Sequence, residues 1–393
     1  MLATTIVLVI LSLVQFFSII TNIALVGPLI VVMGTYAFLL LRNRKMIRFS
    51  VAIPGKMALL WLILLGIAIN FFQKYVFPWG GWDAIAIWNQ HAKFLVDPQH
   101  WQLMFERTLA SSHPDYPLFV PSFVSLVWAA MGNTHFIVPM IMSLFPLLGI
   151  ITILFYGTTY RFIGILGALA ILLDKEFIDQ SASQYADTWV AYFLLLAIYL
   201  LVQLPNKNLK TVWMGLLISS ICWVKNEGLI IYILVSIGVI YEFRKDKVQM
   251  ARYLLGSLPI ILTIITYKLG WSPQNDMVSE SDASLINKLL TIDRYKTIAL
   301  FAVKTIKSSY ILVPGMVILG LALVKQWPMK LTTSAMVLSC LLFVYLGIYL
   351  VTPKDLTWHL ETSFFRLFHQ IYPGLVLCFL LLMDHNQGTL ADR

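Results

Sequence analysis

The stretch HFIVPMIMSLFPLLGIITILFYG, residues 135–157, contains no Asp, Glu, Lys or Arg. Its length suits an α-helix crossing the roughly 30 Å hydrocarbon core of a bilayer. In that core only the chain itself can satisfy a backbone amide, so such a run must be helical. Apolar runs recur outward from it, at 2–21, 24–41 and 57–75 before it and at 162–174, 187–203, 211–224, 227–242, 252–268, 308–324, 331–351 and 367–383 after it. They predict an all-α, polytopic integral membrane protein of about twelve transmembrane helices. A β-barrel would show short alternating segments instead. The first run, Leu2 to Ile20, lacks a basic leader and reads as a retained signal anchor.

Composition agrees. Of 393 residues 59% are hydrophobic and only 12% charged, with a mean hydropathy of +0.82. That leaves too little polar surface to cover a soluble globule of this length. The net charge of +9 comes from Lys and Arg scattered through short loops. This pattern fits topology and lipid headgroups as partners, and no nucleic acid. Cys222, Cys340 and Cys378 lie inside apolar runs, where a thiol serves as a small packing group.

Loop charge sets an expected topology. Arg42, Arg44, Lys45 and Arg48, then Arg161, then Lys207 and Lys210, then Arg244, Lys245, Lys247 and Arg252, then Lys325 and Lys330 mark cytoplasmic loops. Both termini fall on that side. The opposite face receives the long polar segments 76–134 and 269–307 and the shorter ones at 175–186 and 352–366. Only Glu242, Asp246, Asp384 and Asp392 among the acids then face the cytoplasm, which directs function outward. Three regions follow: an additional N-terminal hairpin at 1–50, a core at 51–252 with its large first outer loop 76–134, and C-terminal helices at 253–393 with outer loops 269–307 and 352–366.

The first outer loop opens with PWGGWDAIAIWNQHAKFL, Pro78 to Leu95. Ile85, Trp88, Ala92 and Leu95 are spaced to form one apolar helical face. The helix should lie at the bilayer surface, with Trp79, Trp82 and Trp88 at headgroup depth. Asp83 sits in its first turn, where free amides favour an ionised carboxylate. It reads either as a base able to take a proton from a hydroxyl or as a plain N-cap. Further on, SSHPDYPLFVPSF packs His113, Asp115 and Tyr116 among three prolines. That makes a stiff polar turn ahead of a Pro-bounded apolar stretch, Pro117 to Met131, expected to lie at the interface or to dip in from one side.

Two clusters follow. Gln184-Tyr185-Ala186-Asp187 places an acid at the mouth of an apolar run, and Lys225-Asn226-Glu227-Gly228 interrupts continuous membrane sequence. Charges at membrane depth are costly and usually paired, so the second reads as a site or as a self-satisfied turn. The last outer loop offers Lys354, His359, Glu361, Arg366 and His369, with Arg366 at the lip of the final span.

This order of features resembles the GT-C superfamily of membrane glycosyltransferases, in particular the branch of protein O-mannosyltransferases and lipid A aminoarabinose transferases. The resemblance covers residues 57–245 and rests on Asp83, His113 to Pro117, Tyr185 to Asp187 and Lys225 to Gly228. The chain departs from the family in its N-terminal helix pair and in reading His-Pro-Asp-Tyr-Pro where relatives often carry a basic residue beside consecutive prolines. No soluble domain follows the last span, which argues against a folded peptide acceptor. Glu280-Ser-Asp282 has the form of an acidic metal-binding pair but lies in a late loop, so no metal or other cofactor is expected.

The resemblance implies a polyprenyl-phosphate-linked sugar as donor and a hydroxyl on a lipid, glycan or protein as acceptor. It implies Asp83 as general base and inversion at the anomeric carbon. Lys225 or Arg366 would offset the charge of the departing phosphate, and Asp115, Asp187 and Glu227 would orient sugar or acceptor. It also implies a prokaryotic cytoplasmic membrane, with the site on the outer face. Rival expectations are a transporter or flippase of lipid-linked sugars, for which no internal repeat is visible, and a polymerase or ligase of surface polysaccharide, which would rest on outer arginines.

Overall fold

A computed structural model describes residues 1–21, 55–203, 208–273, 285–308 and 329–391. Its helices, in chain order, are α1 (Leu2–Thr21), α2 (Gly55–Tyr75), α3 (Asn89–Val96), α4 (Phe119–Met131), α5 (Ile137–Tyr156), α6 (Arg161–Leu172), α7 (Lys175–Ala182), α8 (Ala186–Gln203), α9 (Asn208–Ser219), α10 (Glu227–Glu242), α11 (Lys247–Gly270), α12 (Leu285–Leu290), α13 (Ile292–Ser308), α14 (Met329–Val351) and α15 (Leu356–Ala391). There is no strand among the described residues. Seven helices there are long and apolar enough to cross a membrane: α1, α2, α5, α8, α11, α14 and α15. The chain is a helical membrane protein.

Other expected spans are helical in place but short. Residues 162–174 give α6 with 12 residues and 227–242 give α10 with 16, both short of the ~20 that a perpendicular crossing needs. Residues 211–224 divide into α9 and a single turn, Ile221–Val224. The run 24–41, the run 308–324 beyond Ser308, the basic loop at 42–48, Lys207, Lys325 and the Glu280–Asp282 pair lie outside the described residues. The boundary drawn at 252–253 falls inside α11, which carries one helix straight through it.

Helix α8 is the axis of the bundle. It is apolar all round, and fifteen of its eighteen residues are buried, as such a helix requires. α5, α9, α10, α14 and α15 surround it. Between membrane helices there is no hydrophobic driving force, so polar bonds and close packing hold them in place. α1 shows how: its Thr5 meets Tyr192 of α8 at 2.5 Å, Ser12 donates to the Phe119 carbonyl at 3.1 Å, and Gln15 donates to Ser125 at 3.2 Å. The Trp223 indole, beside the break before α10, donates to Ser12 at 3.0 Å. α4 is buried along most of its length between α1 and α3.

Candidate functional site

The first outer loop is anchored by its paired glycines. Gly80 has φ +78°, and a Cβ there would lie 2.7 Å from the Ser183 carbonyl, so a side chain is excluded both by conformation and by space. The Gly81 amide donates to Ser183 O at 2.9 Å, and Gln184 Nε2 donates to the carbonyls of Phe77 and Pro78 at 2.9 and 3.1 Å. The turn carrying Asp83 is thereby clasped to the loop that leads into α8.

The next residues form a π-helical turn, Ala84–Trp88, before α3 begins. Its wider turn breaks the expected face: Ala84, Ile87 and Trp88 are buried while Ile85 is exposed. Trp82 is exposed, but Trp88 is buried and stacks on Tyr116 with centroids 5.6 Å apart. Trp88 therefore packs the site and does not reach headgroups. Asp83 makes no side-chain capping bond. Its carboxylate turns to Arg366, Nη2 to Oδ2 2.5 Å.

Arg366 belongs to a longer helix than the expected span. α15 begins at Leu356, so the segment 352–366 is mostly helix and Arg366 lies inside it. There the guanidinium bridges two acids, since Nη2 also donates to Asp187 Oδ2 at 2.9 Å, and it lies over the Tyr185 ring, 4.7 Å from the centroid. Burial, and next the Asp83 carboxylate, push the Tyr185 phenol above its ordinary value. Asp187 is the hub. Its Oδ1 accepts from Lys225 at 3.1 Å and from Gln370 at 2.7 Å, and Gln370 in turn accepts from Tyr345 at 2.5 Å. Lys225 also reaches Glu227 Oε1 at 3.1 Å. Side-chain exposure orders the array: Asp187 1% and Lys225 5% form its floor, while Asp83 at 16%, Glu227 at 20% and Arg366 at 23% form the open rim. Both cations expected to meet a phosphate are thus occupied by carboxylates.

A second cluster adjoins the first through the same chain break, where Lys225 is extended (φ −149°, ψ 161°) between the turn Ile221–Val224 and α10. Asn226 Nδ2 donates to Asp115 Oδ2 at 2.6 Å, and Asn226 Oδ1 accepts from Lys268 Nζ at 2.8 Å. Lys268 also donates to the Asp115 carbonyl. The Tyr267 hydroxyl bonds the carbonyls of Pro114 (2.5 Å) and Tyr116 (3.0 Å). His113 stacks on Tyr116 with centroids 5.0 Å apart. His113 (φ 49°) and Gln184 (φ 61°) are the non-glycine residues with left-handed backbone among the described residues. Such conformations persist where surrounding structure dictates them, often at sites, and here one falls in each of two loops that carry the array.

Asp83, Asp187, Lys225, Glu227 and Arg366 are therefore brought into one ion-paired array, with Tyr185 against it. His113, Asp115, Tyr116 and Asn226 gather in the adjoining cluster. Gln370, Tyr345, Tyr267 and Lys268 were not anticipated. Gln370 was within reach, because it stands one helical turn from Arg366 on the same face. Among the described residues no group of acids, histidines and cysteines is arranged to hold a metal ion.

Beneath the second cluster His91 is fully buried, its Nε2 3.3 Å from Ser112 Oγ. Burial, and next the neighbouring His113, push its imidazole down to about 3. The unfolded group titrates near 6.5, so between those values the unfolded chain binds more protons. Stability should then fall as pH drops through that window, by up to about 1.4 kcal/mol per pH unit. Thermal melting in detergent checks this: the native midpoint should fall more steeply than that of His91→Gln. Parallel curves would remove His91 from the account.

No family model, curated protein or solved structure matches the chain.

Proposed function

We propose that this chain is an inverting glycosyltransferase of the GT-C type, moving a sugar from a polyprenyl-phosphate carrier to an acceptor hydroxyl. On this reading the whole chain has about twelve spans with both termini cytoplasmic, and the site opens on the outer face of a prokaryotic cytoplasmic membrane. The acceptor is a lipid, glycan or protein. The supporting observation is the delivery of Asp83 from the first loop to the open rim of an ion-paired array whose floor, Asp187 and Lys225, is buried.

The chemistry follows from that placement. A carboxylate at a rim can accept the proton of an incoming hydroxyl as its oxygen attacks the anomeric carbon. The bond from that carbon to the carrier phosphate breaks on the opposite face, and the phosphate leaves with the electron pair. Arg366 holds Asp83 in place through one oxygen and leaves Oδ1 for the hydroxyl. Tyr185, packed under the guanidinium, fixes its plane. Fixed dipoles and charges of this kind act without reorganising during the reaction.

The test is sugar transfer in liposomes supplied with a panel of polyprenyl-phosphate sugars, comparing native chain with Asp83→Asn at equal folded yield. The native chain should release polyprenyl phosphate, and the variant should be slower by about 10²-fold or more. Equal rates would reduce Asp83 to a structural ion-pair partner. Movement of intact carrier across the bilayer without transfer would replace the reading with a flippase.

A further inference from the structure

Resting on that reading, we infer that Lys268, at the end of α11, is the residue that receives the phosphate of the lipid-linked donor.

The starting point is which cation remains available. Lys225 is paired with Asp187 and Glu227, and Arg366 with Asp83 and Asp187. For either to bind a phosphate, the anion would have to approach a charge already shared with carboxylates, the buried Asp187 among them, whose repulsion opposes it. Lys268 differs. Its ammonium donates to two neutral oxygens, the Asp115 carbonyl and Asn226 Oδ1, and among the described residues it forms no ion pair. The nearest acid, Asp115, turns Oδ2 to Asn226. The Asp115 carboxylate acts on the ammonium through space, and a third donor position is what a phosphate oxygen needs.

Position supports the assignment. A lysine in a last helical turn ordinarily offsets the helix's own carbonyl end. Lys268 instead reaches across to the turn His113–Tyr116, to which Tyr267 is also bonded. Below it, Leu255, Leu258, Leu262, Ile265 and Leu269 form an exposed apolar stripe along α11. Their spacing of three and four residues keeps them on one face. A lipid phosphate arriving laterally, with its chain along that stripe, meets Lys268 where the stripe ends. Asn226 then joins the phosphate site to the ion-paired array, because its neighbours in sequence are Lys225 and Glu227.

The decisive measurement is binding of farnesyl phosphate to the full chain in nanodiscs of neutral lipid, read independently of sugar transfer. The native chain should bind it, Lys268→Met should bind about ten- to a hundredfold more weakly, and Lys268→Arg should bind nearly as the native chain does. Lys268→Gln, which retains donors for the two carbonyl oxygens, separates loss of charge from loss of fold and should be as weak as Lys268→Met. Equal binding by native chain and Lys268→Gln overturns the inference, as does failure of the native chain to bind. Inorganic phosphate and an anionic phospholipid serve as competitors. Displacement by either at concentrations equal to farnesyl phosphate would mean a general anion site and also overturn it. Binding that depends on Lys268 in a chain that transfers no sugar would keep the inference while sinking the glycosyltransferase reading.

Discussion

Asp187→Ala should be among the most damaging single substitutions in the chain, lowering stability by about 3–5 kcal/mol, the range seen when one partner of a buried ion pair is removed. Asp187 is 1% exposed and receives Lys225, Arg366 and Gln370 at once. Without it two cations face each other across a buried gap. Arg366 keeps Asp83 and Lys225 keeps Glu227, but neither of those contacts fills the floor of the array. Replacing both floor residues with apolar ones of similar size is a different experiment, since a buried pair removed whole is often neutral. The double variant Asp187→Leu with Lys225→Met should therefore recover much of the loss. Thermal midpoints in detergent for the two single changes and the pair form a cycle that isolates the coupling. A loss under about 1 kcal/mol for Asp187→Ala would show that water reaches the floor.

Gly228→Ala should cost about 3 kcal/mol, at the upper end of ordinary overpacking, and on the proposed reading should slow sugar transfer as well. A Cβ at Gly228 would lie 1.9 Å from the Ile221 carbonyl oxygen and 2.5 Å from its carbon. Both are backbone atoms, so no side chain can swing aside. The turn Ile221–Val224 or the start of α10 must shift, and Lys225 and Asn226 lie between them. Gly66, inside α2, gives the comparison, because a Cβ there meets nothing within 4 Å. Gly66→Ala should be neutral or stabilising by about 0.5–1 kcal/mol through helix propensity. Melting both variants beside the native chain checks the pair. If Gly228→Ala melts with Gly66→Ala, the close approach is not what holds the break.

Helical membrane architecture could be read from residues 135–157 and their repeats, since lipid leaves an apolar run one backbone solution. Asp187, Lys225, Glu227 and Arg366 could be picked out because a charge at the edge of such a run is unusual, and Asp83 because it stands in the first turn of the outer loop's helix. Their pairing could not. Arg366 and Asp83 are separated by most of the chain, and it takes both the packing of α15 against α8 and the clasp of the first loop to Ser183 and Gln184 to bring the guanidinium to both acids. The π-helical turn escaped for another reason: periodicity assumes 3.6 residues per turn, so one wide turn moved Ile85 off the face it was assigned. Lys268 escaped because one of its partners is the backbone carbonyl of Asp115, in a loop more than a hundred residues away, and a backbone acceptor leaves no mark in side-chain pattern.

The extended step before α10 has one further consequence. Lys225 and Asn226 are consecutive, yet one reaches down to Asp187 and the other out to Asp115 and Lys268. A few backbone atoms thus act as a shared fulcrum. A shift of this one peptide therefore displaces the partner of Asp187 and the partner of Asp115 and Lys268 together.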